Sequence, residues 1–459
     1  MAAEGPGRAD AARLQEAIEA LRGLVERKPR DLTARRALAA ALLEAGRPAE
    51  AREQLRACEK MAPKDDLVLY LLGVAEAEAG DLDAAIAAWR KLARRRASHA
   101  GAHYMLGRAY AAKRMWDAAV HHLNLAAEHG DEAATSPQAE PGQVVQMALE
   151  ALAELHLARG QADKAVKTWE RMLERDPNQV TALNNLAAAH LTAGRLAEAE
   201  AYAARAREAG ADNAAFHYNL GQIALRKGDY LAAASHFAAA AERDPRDASL
   251  RVNLGDAWVR AGRRAEARAA WEEALRLEPG HPDAHFNLGV EAARDGDIEG
   301  ALRHWTAVVE RVPQFSPAWA HQVDLLLSRG REAEALEVAE RWTRARPSDA
   351  WAWQSLAWAR LAAGHGPKAA AAIRQAETLA PTHPRLALLK CAADAAAGRA
   401  AEAAAHLARA PEPQSVWPGE RAVLARLGVA RLAAVAVRGL DEAAAARVRR
   451  WLEAWQERA

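Results

Sequence analysis

Cysteine is nearly absent: the 459 residues hold two, Cys58 and Cys391, so a disulfide framework is not the source of stability. Far apart in sequence, both are expected as core thiols in a reducing compartment. Aromatic residues are scarce at 5%, and Trp (14) outnumbers Tyr (6) and Phe (4) together. A few large plugs among small residues suit closely crossed helices, and the alanine content favours helix throughout. Charge of either sign in excess is missing too: Lys+Arg 62 against Asp+Glu 61 leaves +1, so no long-range field gathers nucleic acid or an anionic membrane. No apolar run reaches the roughly 18 residues that span a bilayer, and residues 1–24 lack the basic-then-apolar pattern of a leader. A cytoplasmic protein with no direct membrane insertion is expected.

Catalytic signatures are also lacking. No Gly-rich phosphate loop, His-Glu-x-x-His, Cys-x-x-Cys or nucleophile elbow occurs. The 16 histidines are scattered, and the adjacent pair His121-His122 points about 100° apart on a helix rather than converging on a metal. No enzyme activity, cofactor or metal is expected.

What is present is a period. Gly160, Gly194, Gly228, Gly262, Gly296, Gly330, Gly364 and Gly398 follow one another at 34 residues. A strict repeat of this length means one supersecondary unit per period, each burying its apolar face only by stacking on the next. Within a unit, a first helix (A) ends at the glycine and a second (B) runs through a fixed alanine to a fixed proline. The glycine closes helix A in a left-handed turn. A small residue in helix A (Gly73, Gly107, Gly221, Gly255, Gly289) is expected to face the alanine of helix B (Ala85, Ala119, Ala233, Ala267, Ala301), letting the backbones approach. Four residues on, Leu55, Trp89, Leu123, Trp169, Phe237, Trp271, Trp305 and Ile373 are expected to fill the space between units. Pro63, Pro177, Pro245, Pro279, Pro313, Pro347 and Pro381 halt helix B.

Small residue, aromatic, Gly, Ala, large apolar residue and Pro in a 34-residue unit resemble the tetratricopeptide repeat, most closely at FHYNLGQIALRKGDYLAAASHFAAAAERDP (216–245). The resemblance covers about residues 11–410. It implies an all-α fold: a right-handed α-solenoid of about eleven to twelve helix pairs, with helices A lining a concave surface. The chain then divides into a disordered N-terminus (1–10), an N-terminal stack (11–126), an inserted loop (127–145), a C-terminal stack (146–410) and capping helices (411–459). The insertion reads as a hinge or as a tolerated surface loop. In the cap, Trp451 and Trp455 are expected to pack on the last repeat.

Asn185, Asn219, Asn253 and Asn287 recur at one helix A position, 34 apart. An asparagine offers a donor and an acceptor, so a row of them can hold an extended peptide backbone whatever its side chains. The repeats of O-linked N-acetylglucosamine transferase carry a similar ladder, and the resemblance implies peptide binding. The alternative is that these amides bond neighbouring helices. Tyr218 and Phe286 stand just before this row. Arg226, Arg260 and Arg294 recur in the last turn of helix A, either as a cationic strip of the groove or as partners of the helix dipole. Trp351 and Trp358 either enlarge an aromatic patch or join the core. His103, His217 and His285 share a position at which the family often has Trp, so packing explains them. Arg90, Lys91, Arg94, Arg95 and Arg96 end a helix B, where a solvated helix end is expected. A chaperone-type carboxylate clamp is not, because Asn184, Tyr218, Val252 and Phe286 stand where its lysine would be.

The expected function is a non-enzymatic protein-protein interaction scaffold, binding an extended or helical segment of a protein or peptide partner in its groove, with no nucleic acid. The alternative is an accessory subunit of a bacterial envelope, pilus or polysaccharide-export assembly, acting through its outer surface or C-terminal cap.

Overall fold

A computed structural model describes residues 6–130, 142–383, 385–412, 415–429, 437 and 440–456, with side chains from Ala11 to Trp455 in those ranges. Among them no strand occurs: the fold is an all-α solenoid. The chain divides into two compact units, Met1–Asp212 and Asn213–Ala459.

The first unit opens with a single helix, α1 (Pro6–Arg27), which begins inside the stretch expected to be disordered; its first residue is a proline, whose fixed φ suits a helix start. Five pairs follow: α2 (Leu32–Glu44) and α3 (Pro48–Met61), α4 (Asp66–Glu78) and α5 (Leu82–Arg95), α6 (Ala100–Ala112) and α7 (Trp116–His129), α8 (Gln143–Ala158) and α9 (Ala162–Arg175), α10 (Val180–Thr192) and α11 (Leu196–Glu208). The second unit holds α12 (Ala214–Lys227) and α13 (Tyr230–Arg243), α14 (Ala248–Arg260) and α15 (Arg264–Leu277), α16 (Pro282–Arg294) and α17 (Ile298–Arg311), α18 (Ser316–Ser328) and α19 (Glu332–Ala345), α20 (Ala350–Ala362) and α21 (Gly366–Leu379), α22 (Arg385–Ala396) and α23 (Ala400–Leu407). Among the described residues the tail adds α24 (Pro418–Arg426) and α25 (Glu442–Gln456).

Each pair is built by the same local chemistry. Aspartates cap many helices, as where Asp65 and Asp81 accept from Val68 N at 3.1 Å and Ala84 N at 2.9 Å. The A-to-B turn closes with a left-handed residue: at Gly80 (φ 87°), Gly80 N donates to Ala77 O and Asp81 N to Glu76 O. Arg114, standing where the other units have glycine, adopts φ 58° in the same turn. The backbone therefore demands the left-handed region at this position even when the residue resists it.

The large residues of the B helices pack between units as expected, Trp271 against Ala284 and Leu288 and Phe237 against Leu254 and Ala257 of the next pair, and they also do something more. A Cβ on Gly289 would lie 2.5 Å from Trp305 Nε1, and one on Gly107 would lie 2.6 Å from Leu123 Cγ. The small residue of helix A thus makes room for the plug of its own pair, not for the alanine. Lying against glycine, the indoles of Trp89, Trp271 and Trp305 reach Tyr70 O (3.1 Å), Val252 O (3.3 Å) and Phe286 O (3.2 Å) on their partner helices. They lock helix A to helix B within a unit. The alanines at the crossings, Ala85, Ala119, Ala233, Ala267 and Ala301, are fully buried.

The aromatic position near the start of helix A forms a second latch. Trp319 Nε1 and Trp353 Nε1 donate to Pro313 O (3.1 Å) and Pro347 O (2.8 Å), six residues earlier. His103 and His285 repeat that reach with Nε2, to Ala97 O (2.9 Å) and Pro279 O (3.0 Å). Imidazole replaces indole because each keeps an N–H at the correct place.

Most of the insertion, residues 131–141, lies outside the described residues. On either side of it α7 and α8 pack directly on each other, and Gly142 N meets Gly130 O at 3.4 Å. The division between the two compact units falls elsewhere in the chain, after Asp212. There α11 ends on a left-handed Gly210 (φ 87°) rather than on proline.

Candidate functional site

In the second unit the A helices α12, α14, α16, α18, α20 and α22 carry the candidate residues. Asn219 is buried, while Asn253 and Asn287 are half-buried. Asn253 Nδ2 donates to Ser249 O of its own helix at 2.7 Å, and its Oδ1 accepts from Gln222 Nε2 of α12 at 3.4 Å. Asn287 Nδ2 donates to Asp256 Oδ1 of α14 at 2.7 Å. Two members of the row thus bond the preceding A helix. In the first unit, Asn185 is half-buried at the same register on α10.

These bonds uncover a row that the sequence reading passed over: Gln222, Asp256, Val290 and Asp324, again at 34-residue spacing. Asp256 also accepts from Trp271 Nε1 at 3.1 Å, and burial holds its carboxyl above the usual carboxylate range. The common spacing was the signal; apolar Val290 interrupts it.

The flanking residues divide. Tyr218 packs on Phe237, with ring centroids 5.8 Å apart, and Phe286 meets Phe315 and His321 edge-on at 5.2 Å each. Both are half-buried. Arg226 and Arg260 are exposed, as is Arg294, which pairs with Glu291 at 3.3 Å. The basic run ending α5 is partnered in part: Lys91 with Glu59 at 2.7 Å, Arg95 and Arg96 with Asp66 at 3.5 and 3.4 Å.

The register of the asparagines continues to His321 on α18 and Ser355 on α20, where the face is covered by the chain itself. Instead of stacking beyond α23, helix α24 turns back onto α18 and α20. Trp417 lies beside His321 (5.5 Å between centroids) and Trp351 (5.9 Å), with the Arg385 guanidinium 4.8 Å from its ring centre. Arg385 also donates to Glu420 Oε1 at 3.1 Å and Ser415 O at 3.0 Å. Asp324 Oδ1 accepts from Gly419 N at 2.7 Å, capping α24 from another helix. Burial raises the Asp324 carboxyl to about 7 and raises that of Glu420 as well; the Glu420 charge adds to the rise at Asp324, and Arg385 opposes it at both. Trp358 is core, whereas Trp351 is partly exposed in the aromatic patch.

The other tail helix behaves differently. Trp451 and Trp455 of α25 are buried, stacked with centroids 5.0 Å apart, and belong to the core cluster of the last repeats. Trp451 Nε1 donates to Pro411 O at 3.0 Å.

Beside Trp417 lies a recess of about 580 Å³ lined by His321, Arg346, Asp349, Trp351 and His383 among others. Among the described residues, no group of three or more His, Cys, Asp or Glu is placed to hold a metal, and no helix is long and apolar enough to cross a membrane.

Comparison with known proteins adds the following. A family model described as Tetratricopeptide repeat matches residues 70–137, 150–214, 197–248, 218–268, 252–302 and 289–350, and a second of the same description matches 8–74. Among curated proteins, none matches. Solved structures similar to this chain include yeast Tom70, with 17% identity, 84% of this chain and 93% of that one covered, and TM-score 0.39. Others are MamA (20% identity, 36% and 97% covered, TM-score 0.33) and YrrB, titled a TPR protein with an unusual peptide-binding site (20% identity, 51% and 96% covered, TM-score 0.31).

Proposed function

Because this chain belongs to the tetratricopeptide repeat family, whose models match more than half of it, we propose that it is a non-enzymatic scaffold holding a segment of a partner protein on its A helices. In the second unit Asn219, Asn253 and Asn287 contact the guest backbone, and the exposed Arg226 and Arg260 stand at the edge of that surface. Asn185 has the corresponding role in the first unit.

One observation carries this reading. Beside His321, in the register of the asparagines, the A-helix face already receives a peptide segment, residues 415–427, through Asp324, Arg385 and the tilted rings of His321 and Trp417. A surface that accepts one segment of polypeptide in this register has the width and chemistry for another. The amides of Asn253 and Asn287 are in part committed to neighbouring helices, but a carboxamide has two N–H groups and two lone pairs, so each retains capacity for a guest.

The test is quantitative affinity capture with the immobilised chain, comparing wild type, the triple variant Asn219→Ala/Asn253→Ala/Asn287→Ala and an outer-face control, Arg276→Ala. Partners retained by wild type and control but lost by the triple variant, at a comparable helical content, support the reading. Equal capture by all three assigns the asparagines to repeat stacking alone.

A further inference from the structure

We propose that the A-helix face of α18, α20 and α22 is a docking site for a short helix whose first turn reads aromatic-Pro-small-acidic, and that the chain's own Trp417-Pro418-Gly419-Glu420 occupies it in cis. The partner is a protein segment with that signature, which displaces α24. This inference does not rest on the role given to Asn219, Asn253 and Asn287.

Four features of the seat are selective for such a helix start. The aromatic at the N-cap lies between His321 and Trp351, under the Arg385 guanidinium. Proline at the first helical position has no N–H to leave unpaired. The next residue must be small, because a Cβ on Gly419 would lie 2.5 Å from Asp324 O and 2.9 Å from Leu327 Cβ. The acidic residue reaches Arg385 at 3.1 Å and also accepts from Trp417 N at 3.1 Å, the reciprocal half of a capping box. Asp324 supplies what no ordinary core position would: a carboxylate aimed at the backbone amide of the incoming helix.

Two observations distinguish this seat from simple core packing. In α14 the equivalent carboxylate, Asp256, is taken by Asn287 of the next repeat. Ser355 stands at the position from which α20 would supply the same bond to Asp324, and Asp324 instead receives α24. Moreover, Gln354 is 5% exposed and lines a small cavity together with Trp417 and Glu420, yet among the described residues its Nε2 has no acceptor. An unpaired buried donor means that the resident segment is a suboptimal occupant, and a guest supplying one more acceptor would compete with it. The recess beside Trp417 leaves room for residues preceding the aromatic.

The experiment uses a fluorescently labelled synthetic peptide of residues 411–428 added in trans to the full chain. Wild type is expected to bind it weakly, since its own copy fills the seat. Gly419→Ala in the chain unseats the resident segment and leaves the groove residues intact, so binding should tighten at least tenfold; adding Arg385→Ala to that variant should reverse the gain at least tenfold. If Gly419→Ala lowers the helical content, Trp417→Ala unseats the same segment and takes its place in the comparison. Wild type and unseated chain binding equally, or an unseated chain of normal helicity binding no better after the Arg385 guanidinium is restored than without it, overturns the proposal.

Discussion

Asn287 Nδ2 donates to Asp256 Oδ1 at 2.7 Å, joining α16 to α14 across one repeat, and the same oxygen accepts from Trp271 Nε1. The carboxylate therefore belongs to two neighbours at once. Removing the amide leaves a buried acid with the indole as its remaining side-chain donor.

Asn287→Ala is accordingly expected to lower stability by about 1.5–3 kcal/mol, the range for a hydrogen bond to a charged group. In an Asp256→Ala background the same change should cost much less. A double-mutant cycle from urea denaturation measures the coupling, and additive single effects would show that the bond contributes nothing.

Gly289→Ala is expected to cost about 1–3 kcal/mol by forcing the Trp305 indole off Phe286 O. A rotated indole in Gly289→Ala would show as a shifted tryptophan emission alongside the lowered urea midpoint. An unchanged midpoint would mean that the close approach is not needed.

Arg114→Gly is expected to stabilise the chain by about 1 kcal/mol, since an exposed arginine is held at φ 58° where glycine pays no Cβ penalty. Gly80→Ala, at φ 87°, should lose a comparable amount. Opposite shifts of the urea midpoint for these two variants are the readout; shifts in the same direction would contradict the backbone account.

The helices were legible because their determinants are local and repeated. Leu32, Asp66 and Ala100 start α2, α4 and α6 as the period predicts, and even the exception, Arg114, is bent into the glycine conformation. Pair geometry was less so: that glycine makes room for the plug rather than for the alanine depends on side-chain directions, which spacing does not specify. The partners of the asparagines were hidden because Val290 interrupts the row containing Gln222, Asp256 and Asp324. The seat of α24 was beyond sequence reasoning altogether. Trp417-Pro418 announces a helix start, but nothing local says that its cap is Asp324, 95 residues earlier in the chain.

Stability in acid should depend on the histidine pair of α6 and α7. His103 Nδ1 and His122 Nδ1 are 2.9 Å apart, and His103 Nε2 meets Ala97 O, so His103 carries its proton on Nε2 and accepts from His122. One proton lies between the two Nδ1 atoms, so the rings cannot both be protonated while this bond holds. Burial, helped by His103, His121 and Arg90, pushes His122 down to about 4, and burial lowers His103 as well. Above pH 6.5 folded and unfolded chains are alike in leaving His122 unprotonated, and its contribution is fully present. As pH falls from about 6.5 towards 4, the unfolded chain binds a proton that the folded chain refuses, and stability is lost. Discounted for screening at a half-buried ring, the loss at pH 5 is about 1–2 kcal/mol. Urea midpoints between pH 7 and 5 should fall for wild type and fall less for His122→Gln, whose amide can still donate to His103 but does not titrate. Parallel slopes for the two chains would remove His122 from the acid response.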